Sequence, residues 1–148
     1  VIDTIRGIKL DRVHLEQEAF HMLIDILGKK DTHLTRLSMC CIRIGGERMG
    51  NGEAEKIADA VGNNTTLTHL MLSDNAIGNE GCHFLATALS HCESTLTELD
   101  LSDNHIEDRG FMDLADALIF NTRLQSLSIT GNYFTNKTIL AFHEMLQF

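Results

Sequence analysis

No run of apolar residues in this chain approaches the ~18 needed to cross a bilayer, so nothing in it reads as a membrane span. Cations are scarce: 12 Lys and Arg stand against 21 Asp and Glu, a formal charge of −9. That deficit excludes general nucleic-acid binding, which needs Lys and Arg facing phosphates. Proline and tryptophan are absent. The opening Val1-Ile2-Asp3-Thr4 has neither a starting Met nor a signal-peptide layout, so the chain is expected to be a piece of something longer. Cysteines number four, Cys40, Cys41, Cys82 and Cys92, at spacings that fit no secreted disulfide framework. Reduced thiols and a cytoplasmic location follow as expectations.

Catalytic and metal patterns are missing too. There is no C-x2-C or H-x3-H pair, and His143-Glu144 lacks a second His, so neither metal nor cofactor is expected. Gly45-x4-Gly50 continues as Asn51-Gly52 where a phosphate loop needs Lys-Ser/Thr. Cys40 and Cys41 fall near Arg36 and His69 in neighbouring positions, but a partly buried structural thiol explains them better than an activated nucleophile. No carboxylate pair falls in a cleft. The chain is therefore expected not to be an enzyme and to have no small-molecule substrate.

What is present is a repeat. Leu67-Thr-His-Leu70-Met-Leu72-Ser-Asp-Asn75-Ala-Ile77 aligns with Leu96-Thr-Glu-Leu99-Asp-Leu101-Ser-Asp-Asn104-His-Ile106, and then with Leu124-Gln-Ser-Leu127-Ser-Ile129-Thr-Gly-Asn132-Tyr-Phe134. Leu34-Thr-Arg-Leu37-Ser-Met39 and Ile5-Arg-Gly-Ile8-Lys-Leu10 begin the same way. The starts at 5, 34, 67, 96 and 124 lie 29, 33, 29 and 28 residues apart. Similar tripeptides precede four of them: Asp31-Thr32-His33, Asn64-Thr65-Thr66, Glu93-Ser94-Thr95 and Asn121-Thr122-Arg123. The pattern L-x-x-L-x-L has period-2 character and suits a short strand. The following Asn suits a tight turn whose unpaired backbone groups its amide can satisfy.

Each strand pattern is followed by apolar residues at helical spacing. Gly81-Cys82-x-x-Leu85-Ala86-x-x-Leu89 matches Gly110-Phe111-x-x-Leu114-Ala115-x-x-Leu118 and Ala19-Phe20-x-x-Leu23-Ile24-x-x-Leu27, one face of an amphipathic helix in each case. Asn79 and Asp108 stand where helix N-caps are expected. No single unit can bury its apolar face, so successive units must stack. Neighbouring helices need ~10 Å and neighbouring strands ~4.8 Å, so the stack must curve with its strands inside.

These motifs resemble the ribonuclease-inhibitor-like leucine-rich-repeat family. The resemblance implies an α/β fold: a curved right-handed solenoid of about five repeats, with parallel strands on the concave face and helices on the convex face. Residues 1–148 are then one leucine-rich-repeat domain. The family includes ribonuclease inhibitor, the Ran GTPase-activating protein, tropomodulin repeat domains and nucleotide-binding immune receptors, so the repeat alone does not choose a function. Val13 and Ile42 depart from the pattern where Asn is expected, which predicts looser turns in the first two repeats. Thr138 replaces the helix-opening Gly in the last repeat. The second repeat is longer, in Ile44–Glu53, where four glycines predict a mobile rim loop.

The concave face is the expected site. One outward row reads Gly7, Arg36, His69, Glu98, Ser126; the next reads Lys9, Ser38, Met71, Asp100, Ser128; past the strand come Arg12, Cys41, Asp74, Asp103, Gly131. Arg6, Lys9, Arg12 and Arg36 gather at one end, and Asp74, Glu98, Asp100 and Asp103 towards the other. A protein partner with a basic segment over the acidic half fits this face. The candidate contacts are Arg36, His69, Met71, Asp74, Glu98, Asp100 and Asp103, with Glu47, Arg48 and Met49 from the loop. The alternatives are a regulator resembling the Ran activator and an actin-binding repeat domain resembling tropomodulin.

Overall fold

The computed structural model describes residues 5–30, 32–91 and 94–147. Readings placed on Val1, Ile2, Asp31, Cys92, Glu93 and Phe148 lie outside the described residues. The elements run β1 (Gly7–Lys9), β2 (His14–Leu15), α1 (Gln17–Leu27), β3 (Arg36–Ser38), β4 (Arg43–Ile44), β5 (Glu47–Arg48), α2 (Asn51–Asn63), β6 (His69–Met71), α3 (Asn79–Ser90), β7 (Glu98–Asp100), α4 (Asp108–Leu118), β8 (Ser126–Ser128) and α5 (Asn136–Met145).

One sheet, in the order β1-β3-β6-β7-β8, is parallel throughout. Its central residues pair as Ile8, Leu37, Leu70, Leu99 and Leu127, the column the repeat predicts. The ladder continues past each strand: Leu10 N–H donates to Ser38 O, Met39 to Met71 O, Leu72 to Asp100 O and Leu101 to Ser128 O, all at 2.8–2.9 Å. Each helix returns over the same side of the sheet and packs on its neighbour. The core between the layers is the leucine columns together with Phe20, Cys82 and Phe111, all fully buried. Each such Leu contributes about 1.5–3 kcal/mol on burial. The result is the leucine-rich-repeat solenoid.

After each strand the chain turns through a left-handed residue. Arg12, Cys41, Asp74, Asp103 and Gly131 have φ of 58°, 55°, 55°, 53° and 68°. Arg and Cys rarely adopt this region, and Asp tolerates it better. The looser turns expected from Val13 and Ile42 are not found: repeats one and two keep the same left-handed turn. A small second sheet, β2-β4-β5, takes over there from the Asn ladder.

That ladder starts at Asn75. Its Nδ2 donates to Met39 O and Leu72 O, and its Oδ1 accepts Ile42 N–H. Asn104 bonds in the same way to Leu72 O, Leu101 O and Ile77 N–H, and Asn132 to Leu101 O, Ile129 O and Ile106 N–H. Each amide thus closes its own turn and the preceding one. A second set of asparagines explains two of the tripeptides, those that begin at Asn64 and Asn121. Buried Asn64 donates to Leu27 O and accepts Thr66 and Leu67 N–H. Asn121 donates to Leu89 O and accepts Arg123 and Leu124 N–H. Each closes the turn that leads from its own helix to the following strand and ties it to the end of the preceding repeat's helix.

Asn79 and Asp108 are not the N-caps of their own helices. Those positions are Gly78 and Glu107, neither of which makes a side-chain cap bond. Each instead caps the next repeat. Asn51 Oδ1 accepts Gly78 and Gly81 N–H, and Asn79 Oδ1 accepts Glu107 and Gly110 N–H. Asp108 accepts Thr135 N–H and the hydroxyls of Thr135 and Thr138. Glycine at 81 and 110 follows from this closeness: a Cβ there would meet Ile77 or Ile106 Cγ2 at 2.8 Å and the capping amide at 2.9–3.0 Å. Thr138 accommodates its Cβ and uses its hydroxyl on Asp108.

The long segment of the second repeat is an ordered hairpin, not a mobile loop. Arg43 pairs with Arg48 and Ile44 with Glu47, antiparallel, across Gly45 (φ 58°) and Gly46 (φ 91°). Two central residues at positive φ make the two-residue turn whose twist suits a hairpin, and glycine is what that geometry demands.

Candidate protein-binding surface

The outward rows expected from the sequence lie side by side. Arg36 pairs with His69 and His69 with Glu98; Ser38 pairs with Met71 and Met71 with Asp100. Gly7, Lys9, Arg36, His69, Met71 and Glu98 line a depression of about 490 Å³ on the concave sheet. Of the candidate contacts on this face, Arg36, Asp74 and Asp103 are exposed, and His69, Met71, Glu98 and Asp100 are half-buried.

The charges are more engaged with one another than the sequence implies. His69 Nε2 lies 3.4 Å from Glu98 Oε2. Thr68 Oγ1 donates to Thr35 O, so at 2.7 Å it receives a hydrogen bond from His69 Nδ1–H. With Nδ1 as donor, the carboxylate of Glu98 is met by Nε2–H when the imidazole is protonated. Asp100 Oδ1 accepts the N–H and Oγ–H of Ser102 at 2.9 and 2.6 Å. Turn chemistry therefore engages one oxygen of Asp100. Asp74 is held by Arg48, whose Nη2 reaches both its carboxylate and its carbonyl oxygen. That bond, followed by one from Cys41, holds the Asp74 carboxyl below the ordinary range. The like-charged pair Asp74 and Asp103 is thus relieved inside the chain. Asp103 packs so closely that a Cβ on Gly131 would meet its Oδ1.

The hairpin residues divide. Glu47 and Arg48 are exposed, but Met49 is fully buried and cannot touch a partner. Its backbone pairs with Ile42 and Ala76. Met49 begins the core column continued by Ile77 and Ile106, each of which accepts the following repeat's N–H in the same manner. Pairing across the hairpin also places Arg43 beside Arg48, and His14 beside Arg43. The Gly45-Gly46 turn signal would have revealed that row.

Other candidates resolve simply. Cys82 is buried, donates to Gly110 O at 3.2 Å, and has its thiol pushed up to about 12 by burial, so it is a packing residue. Cys40 and Cys41 are half-buried free thiols. Among the described residues no group of three or more His, Cys, Asp or Glu could hold a metal ion, and no helix is long and apolar enough to cross a membrane.

The family model described as "Leucine Rich repeat" matches residues 63–86 and 89–115, which span the strands and much of the helices of the third and fourth units. No curated protein matches the sequence. Among solved structures the chain is similar to leiomodin-1 actin-binding site 2, with a TM-score of 0.73 and 22% identity over 95% of this chain and 78% of that one. It is also similar to the tropomodulin C-terminal domain of Caenorhabditis elegans, with a TM-score of 0.72 and 15% identity over 98% of this chain and 84% of that one. At these identities the likeness is one of fold.

Proposed function

We propose that the chain is a protein-binding module that engages its partner on the concave sheet and on the exposed part of the adjoining hairpin. The observation that carries this reading is the in-register row Arg36–His69–Glu98, flanked by Met71. It sets charge of both signs around a half-buried apolar side chain on a shallow, ordered surface. Such a patch suits protein recognition, with rim charges tuning encounter and register. Arg36, His69, Met71, Asp74, Glu98, Asp100 and Asp103 form it, joined by Glu47 and Arg48. The acidic members favour a basic segment on the partner. Its shallowness favours binding over catalysis. The 28–29-residue period supports the ribonuclease-inhibitor-like subtype. Free thiols suit the cytoplasm.

The test is exchange of Glu98 and Asp100 for Lys, followed by a pull-down from native extract. Loss of the captured partners is expected; an unchanged set would count against this face. A second reading, actin binding, is favoured by the likeness to leiomodin-1 actin-binding site 2. An actin pointed-end assay tests it, and no effect at saturating protein would exclude it.

A further inference from the structure

The small sheet β2-β4-β5 has a face of which the binding reading uses only Arg48. His14 pairs with Arg43, and Arg43 with Arg48, so three basic side chains stand in one cross-strand row. Arg12 and Cys41, two of the left-handed turn residues, close the row into a pocket of about 310 Å³ lined by Arg12, His14, Cys41, Ile42, Arg43 and Arg48. The three arginines and His14 are exposed. Leu15, Ile44 and Glu47 occupy the alternate row. Alternation along a strand therefore aims Glu47 to the opposite face. The carboxylate that meets the cluster is Asp74, bonded to Arg48.

Like charges directly opposite on neighbouring strands destabilise a sheet. This chain nonetheless concentrates three of its 12 Lys and Arg in one pocket while carrying a net −9. Two guanidiniums are also held in place: Arg48 by Asp74 O and Oδ1, and Arg43 by Gly46 O at 3.0 Å. A guanidinium carries five N–H donors in a fixed fork that matches a phosphate group, and these bonds leave most of them for a ligand. Strands ~4.8 Å apart present neighbouring forks at a spacing that one tetrahedral dianion can bridge. The ring of Arg and His is too small for an extended polyanion.

We propose that this pocket receives a phosphomonoester carried on a side chain of a partner protein. The proposal rests on the protein-binding reading for the source of the phosphate but not for the chemistry of the pocket. A bilayer rich in anionic lipid is the less favoured source, because a chain of net charge −9 is repelled by it.

The test is amide-resolved NMR on the full chain, titrated with phenyl phosphate and then with a short neutral peptide carrying one phosphoserine. Saturable shifts are expected at Arg12, Cys41, Arg43, Arg48 and Asp74. Arg43→Gln, a change at an exposed side chain, should weaken both probes by about tenfold. Its thermal melt should match that of the unmodified chain. The Glu98→Lys/Asp100→Lys variant should bind both probes normally, so failure of the concave face would leave this result standing. Three outcomes overturn the proposal: shifts scattered over the surface, binding indifferent to Arg43→Gln, or equal binding of the unphosphorylated peptide. Arg43-dependent capture by phosphatidylserine vesicles tighter than that of the phosphopeptide would overturn it in favour of a membrane.

Discussion

Removing the amide of Asn104 should cost more than any comparable surface change. Asn104 is fully buried. Its Nδ2 donates to Leu72 O at 3.0 Å and Leu101 O at 3.1 Å, and its Oδ1 accepts Ile77 N–H at 3.1 Å. Asn104→Ala leaves those three backbone groups without the amide. Leu72 O keeps the Asn75 amide and Leu101 O the Asn132 amide, so Ile77 N–H is the group left unpaired. With about 1–3 kcal/mol for that group and the two weakened bonds added, the substitution should remove about 2–4 kcal/mol. Domains of this size are stable by about 5–15 kcal/mol. Asn132 makes equivalent bonds in the last turn, but it is half-exposed and water can replace its amide. Asn132→Ala should cost about 1 kcal/mol. The assay is guanidinium unfolding, with hydrogen exchange at Ile77 as the local reporter. If Asn104→Ala costs under ~1 kcal/mol, or no more than Asn132→Ala, the ladder is not what closes these turns.

Other consequences are open to measurement. Gly110→Ala forces a Cβ against Ile106 and Asn79 and should destabilise by about 1–3 kcal/mol in thermal melts, whereas Thr138→Ala should cost about 1 kcal/mol for the bond to Asp108. The Asp108 carboxyl is held at about 2, first by the Thr135 hydroxyl, so its contribution is complete above pH 3.8 and lost as pH falls towards 2. A carboxyl NMR titration should find that midpoint, and Asp108→Asn should flatten the acid limb of stability. Cys82 should resist thiol reagents until the chain unfolds, while Cys40 and Cys41 react in the native state. Mass mapping of alkylated peptides separates the two cases.

The repeat carried most of the fold. The Leu70, Leu99 and Leu127 columns, the outward rows and the Asn turns were legible because each position recurs, and a stack in register leaves a recurring side chain a single environment. What escaped depends on contacts between units. Asn79 and Asp108 look like caps from their own helix, yet the shallow step between repeats brings their side chains to the next helix. Glycines 45 and 46 suggested mobility when counted but form a two-residue turn when read as a pair. That turn moved Met49 from rim to core and aligned Arg43 with Arg48. In the binding surface the positions were legible but the state of the charges was not. Asp74 is engaged by Arg48 from the hairpin, a partner that no spacing within a repeat shows, and Asp100 by Ser102 two residues on.

The fold and its concave surface depend on parallel strands stacked in one register. NMR couplings across hydrogen bonds test this directly, and should link the amide nitrogens of Leu10, Met39, Leu72 and Leu101 to the carbonyl carbons of Ser38, Met71, Asp100 and Ser128. Couplings from these nitrogens to any other carbonyls would contradict the stack and remove the concave surface built on it.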